Sequence, residues 1–138
     1  MRIVSRTTRS LQEQKREKSL QRRAKAGVLA KAFPNVEQIR VQLRFVTAKS
    51  QAPAAQVHAL YPSAYAYFEF ACPYGDCDGS FDLNGVALPL LGSSAAQAEG
   101  TLQCSGSRTA GGMTRQPCKL RADYWISAKY LPIIRAAG

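Results

Sequence analysis

Between Val36 and Val46 apolar and polar residues alternate, with Ile39, Val41, Leu43 and Phe45 on one face and Gln38, Arg40, Gln42 and Arg44 on the other. A period of two predicts a half-buried strand whose outer face is polar and partly basic. The same alternation returns at Lys119–Tyr130, where Leu120, Ala122, Tyr124, Ile126 and Ala128 oppose Lys119, Arg121, Asp123, Ser127 and Lys129, with Trp125 on the polar side. Shorter strands are predicted at Tyr65–Ala71, Gly79–Leu83 and Thr101–Cys104, and a short helix at Leu88–Ala98 around Pro89. Thr47–Ala55 and Ser105–Pro117 carry the Gly, Ser and Pro of loops, and the second reads as a mobile one. No internal repeat is found.

Ahead of the first strand the period is that of a helix. Ser10-Leu-Gln-Glu13 matches a capping box, in which the Ser hydroxyl accepts the N3 amide and the Glu reaches back to the N-cap amide. Good helix formers follow as far as Pro34, predicting one helix over Leu11–Ala32, about 33 Å long at 1.5 Å per residue. Through Arg23 it is polar nearly all round. Ala24, Val28, Leu29, Ala32 and Phe33 then form a stripe fit to dock on a core. The first half is expected to project and to order on a partner, since an isolated polar helix is marginal in water.

The cysteines sharpen this α+β picture. They fall as Cys72-Pro-Tyr-Gly-Asp-Cys77, then Cys104, then Cys118: a C-x4-C, a gap of 26 residues, and a C-x13-C. Four thiolates suit tetrahedral Zn²⁺ in a closed, structural site. Pro73 stiffens the entry to the first hook, and Gly75 is expected to take φ > 0 so that backbone amides turn toward sulfur. Over residues 65–130 this arrangement resembles the zinc-ribbon class of small four-cysteine domains. The resemblance implies a structural zinc held by Cys72, Cys77, Cys104 and Cys118. One feature departs from that class, because ribbons generally have two to four residues inside each hook. Either Ser105–Pro117 is looped out of the second hook, at a closure cost that grows only logarithmically with length, or Cys118 is not a ligand. A three-thiolate site completed by His58 or water, buried or disulfide-linked thiols, and a redox or iron–sulfur role stand as alternatives.

Charge separates the chain into two parts. Residues 1–49 hold 13 Lys and Arg against three Glu, which is the whole formal excess of +10, while residues 50–138 hold six of each sign. The division predicted is a basic arm and helix over 1–33 and a neutral zinc-ribbon-like β domain over 34–138. Segregated basic charge points to a polyanion. Arg2, Arg6 and Arg9 on the arm, Lys15, Arg16, Lys18, Arg22, Arg23 and Lys25 on the helix, and Lys31, Arg40 and Arg44 beyond it form a path for phosphates. Arg108 and Arg115 in the Gly-rich loop are weaker candidates. Basic arms on small zinc domains are similar to those of ribosomal and ribosome-associated proteins. The expectation is a non-enzymatic RNA-binding protein, RNA favoured over DNA, in a ribonucleoprotein setting. Alternatives are a protein–protein adaptor of, for example, the transcription machinery, and a thiol redox sensor using Cys72 and Cys77.

Other classes lose ground. With His58 the lone histidine and no paired carboxylates evident, acid–base chemistry and a small-molecule substrate have little support. Asp76, Asp78 and Asp82 lack the full calcium-loop pattern and read as turn carboxylates. The longest apolar run, Val86–Leu91, is too short to span a bilayer, and the polar helix lacks the apolar face of an interfacial one. The absence of an apolar leader segment favours a reducing, cytoplasmic setting, with organelle targeting by residues 1–12 left open. Among the aromatics, Tyr65, Tyr67 and Trp125 are expected to pack in the core or at strand edges, with base stacking as the alternative.

Overall fold

The computed structural model describes residues 11–48, 51–109 and 114–132. In chain order these form α1 (Leu11–Ala26), α2 (Leu29–Ala32), β1 (Val36–Val46), β2 (Gln56–Leu60), β3 (Glu69–Ala71), β4 (Ser80–Asp82), α3 (Asn84–Gly92), β5 (Gln97–Gln103), β6 (Ser107–Arg108), β7 (Gln116–Pro117) and β8 (Arg121–Tyr130). The architecture is α+β and its strand pairs are antiparallel. A four-stranded sheet runs β2-β1-β8-β5, and β3–β4 and β6–β7 form separate two-stranded ribbons.

The two long alternating segments pair with each other and build the sheet. Their register sets Val41 against Ile126 and Phe45 against Ala122 on one face, and Gln42 against Trp125 and Arg44 against Asp123 on the other. The first face is sealed: Ile39, Val41, Leu43, Phe45, Ala122 and Ile126 are all buried. Phe68, Phe81 and Leu83 around the β3–β4 ribbon, and Ala87, Leu90 and Leu91 of α3, belong to the same core. Phe45 and Phe81 meet with ring centroids 5.7 Å apart. Each such side chain contributes about 1.5–3 kcal/mol relative to exposure. The core therefore ties the ribbon to the sheet.

Several predicted elements change in extent. The single long helix is broken: Gly27 has φ of 79°, a conformation only glycine adopts cheaply, and Val28 is extended. The break lets Val28 bridge to Tyr65 and brings the Leu29 amide to Ala64 O at 2.7 Å, with Leu29 fully buried. Of the expected stripe, Val28 and Phe33 are half-buried, and Ala24 and Ala32 are exposed. Because the backbone at 64–66 is engaged in this way, β3 shrinks to Glu69–Ala71. The predicted Leu88–Ala98 helix starts earlier, at Asn84, whose amide is accepted by Asp82 Oδ1 at 2.9 Å. Its last two residues belong to β5 instead.

Strand β5 is longer than its local pattern suggested because it pairs with β8 all the way from Gln97↔Ser127 to Gln103↔Arg121. Gly100 makes room there, since a Cβ would lie 2.5 Å from the Tyr124 hydroxyl. Strand β2 was not predicted. Its sequence, Gln-Val-His-Ala-Leu, is too short and mixed to announce itself, and only pairing with β1 defines it. Among the described residues no helix is long and apolar enough to cross a membrane.

Candidate metal centre

The β3–β4 ribbon turns through Cys72-Pro-Tyr-Gly-Asp-Cys77, so its two ends present Cys72 and Cys77. The other pair is delivered by the sheet. Strands β5 and β8 are in register at Gln103↔Arg121, and immediately beyond this rung the Cys104 amide donates to Leu120 O at 2.9 Å. Cys104 and Cys118 thus stand where the chain leaves and rejoins the same ladder. The 13 residues between them leave as β6 and return as β7, paired at Ser107↔Pro117 and Arg108↔Gln116. Long spacing in sequence has become proximity in space, and Cys118 joins the site.

All four sulfurs lie within 4.8 Å of one another, and all four cysteines are buried. Cys72 and Cys118 Sγ are 3.9 Å apart, Cys77 and Cys104 Sγ 3.5 Å, and none is in a disulfide. Tetrahedral metal–thiolate bonds of about 2.3 Å require sulfurs about 3.8 Å apart. The donor set therefore fits a metal ion in size as well as kind. Burial pushes the Cys77 thiol up to about 12, against the opposing pull of the Gly79 amide. Cys104 is also raised, first by its contact with Cys72 and then by burial. Four buried thiols this close cannot all ionise unaided; a bound dication would remove that obstacle.

Two Cys-x-Gly turns orient the sulfurs. The Gly79 amide points at Cys77 Sγ at 3.3 Å and the Gly106 amide at Cys104 Sγ at 3.5 Å. Such amide–sulfur contacts stabilise thiolate charge. The turns pack back to back: a Cβ on Gly79 would run into the backbone of Gly106 and approach Cys104 Sγ to 2.8 Å, and one on Gly106 would run into Gly79. The expected role of Gly75 falls instead to this pair, and among the described residues the positive-φ glycine is Gly27. The repeated triplets Cys77-Asp78-Gly79 and Cys104-Ser105-Gly106 are plain in the sequence, and were the signal by which the pair could have been found.

Around the turns, polar groups sew one hook to the other. The Ser107 amide donates to Asp78 Oδ1 at 2.8 Å, the Ser80 amide to Ser105 Oγ at 3.2 Å, and the Asp78 amide to Ser107 O at 3.3 Å. Arg108 lies 3.6 Å over the Tyr74 ring and donates to Asp76 at 2.9 Å. Burial works against the Asp76 carboxylate, but Arg108 outweighs it and holds Asp76 below the usual carboxylate range. Arg115 contacts Asp78 at 3.3 Å and donates to Ser107 O at 2.6 Å. Both loop arginines thus make ion pairs beside the centre. Asp76 and Asp78 serve as their counter-charges, and Asp82 Oδ1 accepts the Asn84 amide at the start of α3. His58 stands apart from the sulfurs, its ring centroid 4.5 Å from that of Phe70 and Nε2 2.9 Å from Gln56 Oε1.

The basic candidates divide into groups. Arg2, Arg6 and Arg9 lie outside the described residues, as does the side chain of Lys15. Arg16, Lys18 and Lys25 are exposed on α1, Lys31 on α2, and Arg40 and Arg44 on the outer face of β1. Arg22 and Arg23 are tied down, contrary to a helix that simply projects. Arg22 pairs with Glu69 Oε1 at 2.8 Å and Arg23 donates to Glu69 O at 3.3 Å. Glu69 also accepts from the Tyr67 hydroxyl at 2.7 Å and the Ser80 hydroxyl at 2.6 Å. Burial opposes ionisation of Glu69, but Ser80, Tyr67 and Arg22 together hold its pKa below the ordinary value. This acceptor hub, three residues before Cys72, gave no sign in the sequence, since a lone Glu in an aromatic run has no pattern.

Comparison with protein-family models, curated proteins and solved structures finds no match to this chain.

Proposed function

We propose that this chain is a non-enzymatic RNA-binding protein in which the cysteine quartet holds a structural Zn²⁺ in a zinc-ribbon-like setting and the basic N-terminal third contacts phosphates. The observation that carries the reading is the segregation of charge, with the entire excess of +10 within residues 1–49. Helix α1 of that segment is polar nearly all round and presents Arg16, Lys18 and Lys25 to solvent. A face of this kind neutralises phosphates without reading bases. Zinc is favoured over other ions by the all-thiolate donor set and its size. The amide–sulfur contacts of Gly79 and Gly106 complete the metal's surroundings. Burial of all four cysteines weighs against a thiol redox sensor, whose sulfur must be accessible. A ribonucleoprotein, in the cytoplasm, is the setting such a protein suits.

The test uses the full-length, metal-loaded chain and RNA of defined length across a salt series. Binding should weaken steeply with salt. The triple variant R16Q/K18Q/K25Q, which leaves the Glu69 contacts intact, should lower the log–log slope by about 2 for single-stranded RNA. Affinity that ignores both salt and these three charges would overturn the reading in favour of a protein-binding adaptor.

A further inference from the structure

The outer face of the four-stranded sheet is uncovered among the described residues, and at its centre stands Trp125, 46 % exposed. On β8 it sits directly opposite Gln42 of β1. Its diagonal neighbours across that pair are therefore Arg40 and Arg44, both exposed, one on each side of the indole. Past the end of β2 on the same face lies Tyr61, 53 % exposed, with its hydroxyl 3.5 Å from Gln38 Nε2. Since Arg40 pairs with Ala59, Arg40 is also the diagonal neighbour of Tyr61. Tyr61, Arg40 and Trp125 thus lie on one oblique line across three strands, ring, cation, ring, and Arg44 flanks the indole on its other side. The two rings are separated by roughly 16 Å, from about 4.8 Å per strand and about 3.4 Å per residue.

A lone exposed aromatic needs no explanation. Two aromatics with a guanidinium between them on an open antiparallel sheet are a different matter, because a single strand offers bases to stack on the rings and phosphates to meet the guanidinium groups. Charge agrees. Arg40, Arg44, Arg121 and Lys129 share this face with the carboxylates Asp123 and Glu99, and Asp123 is already flanked by Arg44 at 3.3 Å and Arg121 at 3.6 Å. Duplex RNA keeps its bases stacked inside and offers a flat ring nothing to stack on.

We infer that the outer sheet face is a binding platform for single-stranded RNA, with bases stacking on Trp125 and Tyr61 and phosphates meeting Arg40 and Arg44. The inference rests on the RNA-binding reading above and specifies its substrate. Trp125 is the chain's single tryptophan, so its fluorescence reports on this site alone. The full-length metal-loaded protein is titrated with a single-stranded oligouridylate and with a duplex of equal length. Saturable quenching by the single strand, and little by the duplex, is expected. Replacing the ring in W125A should weaken single-strand binding about 5- to 150-fold, the range for losing one base–aromatic stack. The salt slope should stay unchanged, W125F should recover much of the loss, and Y61A should show a smaller loss of the same kind. If W125A binds like the wild type while R16Q/K18Q/K25Q still weakens binding, the platform is refuted and phosphate binding stands. If the protein binds neither RNA, or its indole responds only to a protein, both readings fail.

Discussion

Replacing Gly106 by alanine, or Gly79 by alanine, should abolish the metal binding proposed for the cysteine quartet. The two Cys-x-Gly turns touch backbone to backbone, and a Cβ on either glycine collides with the main chain of the other. A methyl group on Gly79 would also sit 2.8 Å from Cys104 Sγ. Relief requires the hooks to separate by about 1 Å or more, because carbon settles at about 3.5–4.0 Å from its neighbours. Metal–sulfur distances tolerate only about 0.2 Å. Since Cys72 and Cys77 ride on one hook and Cys104 and Cys118 on the other, the displacement falls across the cysteine quartet itself. A structural zinc is worth about 10–16 kcal/mol, and whole domains are stable by only about 5–15 kcal/mol. Loss of the ion is then loss of the fold in this half of the molecule. The assay is metal per chain after gel filtration, together with thermal unfolding. Gly85 and Gly92 are internal controls, because a Cβ at either meets nothing within 4 Å. G85A and G92A should keep full metal content. A G106A protein with one metal per chain and an unchanged Tm would refute the reasoning.

Other consequences follow from the same geometry. C118S should be as damaging as C72S in metal content and fold, since the two sulfurs face each other at 3.9 Å; retention of metal by C118S alone would mean a three-thiolate site. The Glu69 carboxylate, its pKa held below the ordinary value of 4.5, stabilises the docking of α1 fully above about pH 4.5 and progressively less as pH falls through its lowered value. Amide protection in residues 11–26, taken relative to the intrinsic exchange rate at each pH, should therefore fall in acid, and E69Q, at a cost of about 1 kcal/mol or less for so exposed an arginine partner, should flatten that dependence. G27A should destabilise the chain by about 1 kcal/mol because its φ of 79° suits no other residue well, while G27N should cost less, as compared by urea unfolding.

How much of this was legible in the sequence depends on whether a feature was written locally. Strands β1 and β8 declared themselves through alternation because each has one face on the core, and the structure keeps those faces. The four cysteines declared themselves by residue type. What stayed hidden was the product of pairing between distant segments. The β2 strand, the full length of β5 and the docking of Arg22 on Glu69 each depend on a partner more than a dozen residues away. The break at Gly27 lay in plain view as a glycine in a helical run, but the run of good helix formers around it outweighed one residue. What decided the break was tertiary, the burial of Leu29 beneath the chain at Ala64.

The long second cysteine spacing shows most clearly why spacing alone misleads. A hook of two to four residues brings two thiols together by local geometry, so its length is constrained. Here Cys104 and Cys118 are brought together by the β5–β8 ladder, and the intervening segment carries no such duty. Its length is free to vary provided the ends of the ladder hold. The segment instead acquires a separate role, since Arg108 and Arg115, near its two ends, reach back to Asp76 and Asp78 in the first hook. Shortening the loop outside Ser107–Arg108 and Gln116–Pro117 while retaining Arg115 should therefore leave metal content intact. Removing both arginines should loosen the centre even though no ligand is lost. If a shortened loop released the metal while R108Q/R115Q did not, the hairpin itself, rather than its ion pairs and the sheet behind it, would be what closes the site.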